Sequence, residues 1–263
     1  MIDTHCHILP MCDDGPDHWD QSLEMAREAI RHGITEIIAT PHHGKGNYIN
    51  RSDKIRSLVN QMNNELGVAN IPLKVWVGQE YHLGIHHRSD FEASDLQTLG
   101  DSKYVLVELP SRQTPKSLNS FINVLIANLY IPIIVHPERH VPFIRKPEKL
   151  YELIKLGVLF QLTAPSLIGH FGQSVQQAAW LMARNGWIHI LASDAHDLNK
   201  RGFRLGEAYL LLESELGHDR VEILRANAQQ LAHGGAIDRG TPVIPHRTKR
   251  WWSPLLWKQK RNF

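Results

Sequence analysis

Residues 3–7 of this 263-residue chain read Asp-Thr-His-Cys-His. Side chains of an extended segment alternate with period two, so His5 and His7 share one face. Two imidazoles aimed at one point make half a metal site, or reflect a chain that holds seventeen histidines. Five further segments place metal-ligating groups directly after an apolar run: ATPHH (His42, His43), VGQE (Glu80), LVEL (Glu108), IVHPER (His136) and LASDAH (Asp194, His196). Taken singly, His42 or His136 reads as a capping or loop histidine. Glu108 within YVLVELP and Glu80 after KVWVG carry more weight, because a carboxylate in a buried run is costly unless it is paired or bound to a metal. The alternative to a metal site is a structural salt-bridge network. Imidazole and carboxylate donors without thiolate suit manganese, iron or zinc, and about nine donors exceed what one ion uses, so the pattern points to a multinuclear site.

Arg139 lies three residues after His136 and Arg201 five after His196. An arginine fork matches a phosphate bidentately, as lysine does not, so both are candidate phosphoryl clamps; the alternative is a solvated arginine. The segment HGKGNYINRS after His42 has no apolar period and reads either as a mobile rim for a substrate or as an ordinary surface loop. The two cysteines, Cys6 and Cys12, form no disulfide framework. Neither has an arginine six positions on, which excludes a Cys-x5-Arg phosphate loop.

These residues need elements to hold them at one end of a fold. Short β-branched runs are predicted as strands at Ile2–His5, Glu36–Thr40, Lys74–Gln79, Tyr104–Leu109, Ile131–Val135, Leu159–Thr163 and His189–Ser193. Amphipathic stretches alternate with them: Leu23 to a stop at Gly33, Ile55 to Gly67, Leu118 to Leu129, Pro147 to Gly157, Val175–Ala183, Leu205–Leu216 and Val221–Leu231. Six of the seven strands end in His, Asp or Glu. That favours an α/β barrel with its site at the carboxyl ends of the strands over an open sheet.

Length and an apolar share of 42% fit one domain, taken as residues 1–240, followed by a tail, 241–263. No apolar run is long enough to span a bilayer and no basic-then-apolar leader opens the chain, so a cytoplasmic protein is expected. Six of the 29 Lys and Arg fall in residues 247–263, which hold no acid. The body is therefore mildly acidic, which argues against a nucleic-acid partner. The tail, with Trp251, Trp252 and Trp257 among lysines and arginines, has two readings: peripheral contact with the inner face of the plasma membrane, or packing back on the barrel or on another copy.

The segments DTHCHILPMCDDGP, ATPHH, GQE, DSKYVLVELP, IPIIVHPER, QLTAPSLIGHFG and LASDAH resemble the polymerase-and-histidinol-phosphatase (PHP) superfamily. Within it the chain resembles the manganese-dependent protein-tyrosine phosphatases of bacterial capsule and exopolysaccharide systems, over residues 1 to about 235. The resemblance implies a distorted (β/α)7 TIM-like barrel with three divalent metals, manganese first and iron or zinc as alternatives. It implies that His5, His7, Glu80 and Asp194 bind one metal, that Glu80, Glu108 and His136 bind a second, and that Asp14, His42 and His196 bind a third. Arg139 and Arg201 would clamp the phosphoryl group. Asp3 matches no ligand position and is expected to orient an imidazole. The implied substrate is the tyrosine-phosphorylated tail of a bacterial kinase; the alternatives are a small-molecule phosphatase of the histidinol-phosphate type, a PHP nuclease, or a non-catalytic scaffold. The chemistry expected is in-line attack of metal-acidified water on a phosphomonoester. A phenoxide leaving group, pKa about 10, needs less help from a general acid than an alkoxide does.

Overall fold

The computed structural model describes residues 1–84 and 96–244. Strand β1 (Ile2–Cys6) leads to helix α1 (Trp19–Arg31), strand β2 (Glu36–Ala39) and a two-residue strand β3 (His42–His43). Helix α2 (Ser52–Val68) then precedes β4 (Lys74–Trp76), β5 (Glu80–His82), β6 (Tyr104–Glu108), α3 (Leu118–Ala127) and β7 (Ile131–Val135). The remainder comprises α4 (Val141–Arg145), α5 (Glu148–Lys155), β8 (Leu159–Thr163), α6 (Ala164–Leu167), α7 (Gln173–Arg184), β9 (Ile190–Ala192), α8 (Leu205–Leu216) and α9 (His218–Ala232).

The helices form where one face is apolar. α1 buries Ser22, Met25, Ala26 and Ala29, and α2 buries Ile55, Val59, Met62 and Leu66, both at three- and four-residue spacing. α1 stops before Gly33, whose φ of 75° is one that side chains resist. α4 and α6, of five and four residues, are too short to leave a helical period and were not expected.

All strand pairings are parallel, in the orders β1-β2-β4 and β3-β5-β6-β7-β8-β9. The two ladders meet on two adjacent staves, and local chemistry divides them. Pro41 has no N–H to continue the stave β2–β3. On the neighbouring stave β4–β5, a Cβ on Gly78 would lie 2.6 Å from Ile38 Cγ2 and 3.0 Å from the Ala39 carbonyl, so only glycine lets the backbones approach so closely. At the far side, Asp194 N–H donates to His5 O at 2.9 Å and His7 N–H to Ala195 O at 2.8 Å, joining the last strand to the first. Among the described residues the fold is a distorted (β/α)7 barrel with seven staves, two of them interrupted.

On β6 the side chains of Tyr104, Leu106 and Glu108 share a face by the two-residue period. Tyr104 and Leu106 pack with Ile133, Val135, Leu159 and Ile190 in a compact interior cluster, which leaves Glu108 at the carboxyl end of that face. A larger cluster fills the space between strands and helices. Past the expected boundary at 240, Val243 N–H donates to Asn185 O and Trp187 Nε1–H to Val243 O, each at 2.9 Å, so the chain is still tied to the barrel there. The basic, tryptophan-rich segment 247–263 lies outside the described residues. Among the described residues, no helix is long and apolar enough to cross a membrane.

Candidate metal centre

The carboxyl ends of β1, β3, β5, β6, β7 and β9 bring the nine predicted donors into one cluster. Glu80 is fully buried at its middle. Its Oε2 lies 2.6 Å from His42 Nδ1, 3.3 Å from His7 Nε2 and 3.4 Å from His5 Nε2, while Oε1 lies 3.0 Å from His136 Nε2. Asp194 Oδ1 is 3.4 Å from His5 Nε2 and 3.5 Å from His7 Nε2. Asp14 Oδ1 is 3.3 Å from His196 Nε2 and 3.4 Å from His42 Nε2. Glu108 approaches His42 at 3.7 Å and His136 at 3.8 Å. Three sets have donor atoms mutually within 4.8 Å: His5, His7 and Glu80; His42, Glu80 and Glu108; and His7, Asp14, His42 and His196. His7 and His42 thus each touch two sets.

His136 and Asp194 have φ of 36° and 57°, the left-handed region that non-glycine residues enter at a cost. Such strain is tolerated where it aims a side chain, and both carboxyl-end donors point into the cluster.

The imidazoles are held by their outer nitrogens. Gln161 Oε1 lies 2.7 Å from His5 Nδ1, Asp13 Oδ2 lies 2.6 Å from His7 Nδ1, and the Asp194 carbonyl lies 2.9 Å from His196 Nδ1. Each of these oxygens can only accept, so each Nδ1 donates and Nε2 faces the carboxylates. That is the tautomer a metal ligand needs. Asp3 does not do this job, contrary to expectation. Its carboxylate accepts Ser193 Oγ–H at 2.5 Å, Ser193 N–H at 3.0 Å and His5 N–H at 3.4 Å, so it clamps β1 to the end of β9. Burial pushes the Asp3 carboxyl up to about 6 against those hydrogen bonds.

The cluster is electrostatically hungry for cations. Burial disfavours charge on His42, but Glu80 and Asp14 more than offset it and raise its pKa to about 9. Burial likewise opposes charge on His7, and Asp13 foremost raises it well above the usual range. Glu80 and Asp194 are held well below the carboxylate range despite burial, by His42 and His5 for Glu80 and by Arg139 and His5 for Asp194. Among the described residues, the buried His42 Nδ1, Glu80 Oε2 and His196 Nε2 make no hydrogen bond. Buried imidazole and carboxylate atoms that face one another at 2.6–3.4 Å without hydrogen-bond geometry fit divalent metal ions, which displace the protons such a set otherwise holds.

Both predicted arginines reach the cluster. Arg139 Nη2 donates to Asp194 Oδ2 at 2.5 Å, with its guanidinium 5.0 Å from the Phe171 ring centre, and Arg201 Nη1 donates to Asp14 Oδ2 at 2.8 Å. They line a cavity of about 140 Å³ over the donors, with Lys45, Ser111 and His140. Lys45 was not singled out in the sequence. Its Nζ lies 2.8 Å from Glu108 Oε1 and 3.0 Å from His42 Nε2, which makes its loop a wall of the site. Asp13 and Gln161 were missed as well; the adjacent acid pair in CDDGP was the available signal for Asp13. His43 turns away, its Nδ1 bonded to Asn50 O at 2.9 Å. Burial raises Cys12 to about 12 and Cys6 well above its usual range, so neither thiol offers a nucleophile.

A parallel barrel with imidazoles, carboxylates and two arginines converging on its carboxyl-end mouth defines a metal-dependent barrel hydrolase. Residues 1–233 match the family described as capsular polysaccharide synthesis, CpsB/CapC, and the chain belongs to that family. It is 39% identical to the tyrosine-protein phosphatase YwqE of Bacillus subtilis, over 95% of this chain and 98% of that protein. It is 31% identical to CapC of Staphylococcus aureus, over 97% of this chain and the whole of that one. A crystal structure from the pair YwqE of Bacillus subtilis and CpsB of Streptococcus pneumoniae, described as unique metal-dependent tyrosine phosphatases, superposes with a TM-score of 0.88. It covers 94% of this chain and all of the other, at 39% identity.

Proposed function

We propose that the protein is a metal-dependent protein-tyrosine phosphatase acting on the phosphorylated tail of a bacterial tyrosine kinase in capsule or exopolysaccharide synthesis. The observation that supports the reading is a cavity lined by His42, Glu108, His136 and Asp194 together with Arg139 and Arg201, beside the cluster that His5, His7, Asp14, Glu80 and His196 complete. The metal-dependent tyrosine phosphatases to which the chain is similar support it. His5, His7, Glu80 and Asp194 would hold one metal, Glu80, Glu108 and His136 a second, and Asp14, His42 and His196 a third, with manganese as the ion and iron or zinc as alternatives the donors accept. When bound, the metals supply a water acidified towards neutrality and positive charge opposite the phosphoryl oxygens.

The chain's own groups do the rest. Arg139 and Arg201 are anchored through Asp194 and Asp14 with donors to spare, and would grip the non-bridging oxygens and offset their growing charge. The Phe171 ring, 5.0 Å from the Arg139 guanidinium, adds a cation–π contact that helps hold that fork in place. Gln161 and Asp13 keep Nε2 of His5 and His7 turned inward.

Residues 1–240 would be the catalytic unit and 241–263 an accessory tail, its start held to the barrel through Val243, in a cytoplasmic enzyme. No nucleic-acid partner is assigned. The apolar and basic residues of 247–263 would touch the inner face of the plasma membrane, near a membrane-attached kinase. Sedimentation of full-length and 1–246 protein with anionic vesicles at low salt tests this; two soluble forms would refute it.

The test of the main reading is metal analysis of purified protein beside turnover of phosphotyrosine peptide, phosphoserine peptide and histidinol phosphate, before and after chelation and reloading. The expected result is metal-dependent hydrolysis of the phosphotyrosine peptide above the other two. Preference for histidinol phosphate would reassign the substrate, and full metal loading with no turnover would leave a scaffold.

A further inference from the structure

Beside the mouth of the metal centre lies a second, larger concavity of about 550 Å³, between the segment 114–119 and helix α5. Its floor is apolar, formed by Leu118, Phe143 and Leu153, all buried. Its rim carries Lys116, Lys149, Lys155 and Glu152. Lys155 Nζ pairs with Glu152 Oε2 at 2.6 Å, so those two charges cancel. Lys116 and Lys149 are exposed and have no acidic partner among the described residues. The groove therefore offers two uncompensated ammonium groups above an apolar floor.

The groove and the metal centre share one wall. His140 lines the smaller cavity, and its Nε2 is 2.9 Å from the hydroxyl of Thr114, which lines the groove. The wall is pinned on both sides, by Val141 N–H donating to Ser111 O at 2.7 Å and by Pro110 O 2.9 Å from His140 Nδ1. Ser111 at the mouth and Thr114 in the groove are three residues apart, a span of at most about 11 Å. Burial first, and the charges of His136 and Lys149 after it, hold His140 down to about 4, so the wall itself adds no cation.

The shared wall puts the groove within reach of a polypeptide whose phosphotyrosine occupies the metal centre. We propose that the groove binds acidic residues flanking the phosphotyrosine, Lys116 and Lys149 taking their carboxylates while Leu118, Phe143 and Leu153 seat the intervening side chains. The proposal rests on the phosphatase reading above and deepens it: the enzyme selects an acidic phosphotyrosine segment rather than phosphotyrosine alone. From the short span over the wall, the acidic positions fall about three to five residues from the phosphotyrosine. Exposed charges of this kind act through encounter and capture, and salt screens them.

The experiment uses the full chain loaded with manganese and four substrates: para-nitrophenyl phosphate, and three phosphotyrosine peptides of equal length whose flanks carry Glu, Gln or Lys three to five residues on either side. The wild type should show a KM for the Glu peptide roughly tenfold below that for the Gln peptide, with similar kcat, and the gap should close as salt rises. K116E/K149E should invert the order, now favouring the Lys peptide, and K116Q/K149Q should flatten it. Both variants should leave para-nitrophenyl phosphate turnover unchanged. Equal KM for the three peptides in the wild type would overturn the proposal, as would a Glu preference that survives K116Q/K149Q. Failure of the manganese-loaded wild type to hydrolyse any of the four substrates would instead overturn the phosphatase reading itself.

Discussion

Asp13 Oδ2 lies 2.6 Å from His7 Nδ1 and at the same time accepts the His42 amide N–H at 2.8 Å, so one carboxylate oxygen ties two donors from different strands. Burial works against its charge, but His7 and His42 hold the Asp13 carboxyl down to about 2. It therefore stays ionised at any working pH. The loop that carries it is pressed against β1: a Cβ on Gly15 would sit 2.4 Å from the His7 carbonyl.

Asp13→Ala should weaken metal binding by about ten- to a hundredfold without removing a ligand, the usual effect of losing a group that orients a metal-bound histidine. Calorimetric titration of stripped protein with manganese measures it. An unchanged affinity would show that His7 keeps its orientation by packing alone.

His5→Ala removes a donor that is fully buried against Gln161. Bound metal should drop, and turnover should fall by more than about a hundredfold, beyond the range for groups that only orient ligands. The helices pack elsewhere, so the far-ultraviolet spectrum should persist, with a stability loss of about 1–3 kcal/mol from the orphaned Gln161 oxygen. Equal metal content in variant and wild type would remove His5 from the ligand set.

Arg139→Lys keeps the positive charge but loses the planar fork that reaches Asp194 and stacks on Phe171. The expected result is unchanged metal content and a kcat/KM for phosphotyrosine peptide lower by about ten- to a hundredfold, the worth of one charged hydrogen bond. A kcat/KM equal to the wild type would reduce Arg139 to a charge at the rim.

His189, which precedes β9 at the end of the barrel away from the donors, is expected to give the fold a pH response. Burial, with Arg220 and Arg239 adding to it, holds its pKa down to about 4, and its Nδ1 accepts the Phe160 N–H at 3.1 Å. An unfolded histidine titrates near 6.5. The folded state thus binds fewer protons in between: the stabilisation is complete above about pH 6.5 and is lost as pH falls towards 4, by up to about 3 kcal/mol. His189→Asn can keep the acceptor and cannot titrate, so its denaturant midpoint should fall less than the wild type's between those pH values. Parallel falls in both proteins would assign the acid sensitivity to other groups.

The strand ends were legible because six of the seven pair an apolar run with one or two His, Asp or Glu residues, a combination that burial alone would penalise. Glu80 and Glu108 signalled themselves in this way, and the structure puts them beside the predicted histidines. What was not legible depends on approach across the fold. Asp3 lies two residues before His5, yet it bonds Ser193, and no local spacing reports a partner from the last strand. Lys45 stands between two glycines of positive φ in a loop with no period, and only the folded loop brings its ammonium to Glu108. The interruption of two staves was hidden too, because Gly78 reads as a turn until Ile38 is seen against it.

The join between β1 and β9 also sets a timetable for synthesis. Asp3 and Ser193 are 190 positions apart, and the same seam presents His5 beside Asp194. A chain emerging from the ribosome can form its early βα units while this seam is open, but the donors from its two ends cannot meet until Asp194 and His196 have emerged. The full set of donors is thereby completed only after residue 196 has been made. A truncated product ending before Asp194 would carry most of the histidines and never assemble the centre.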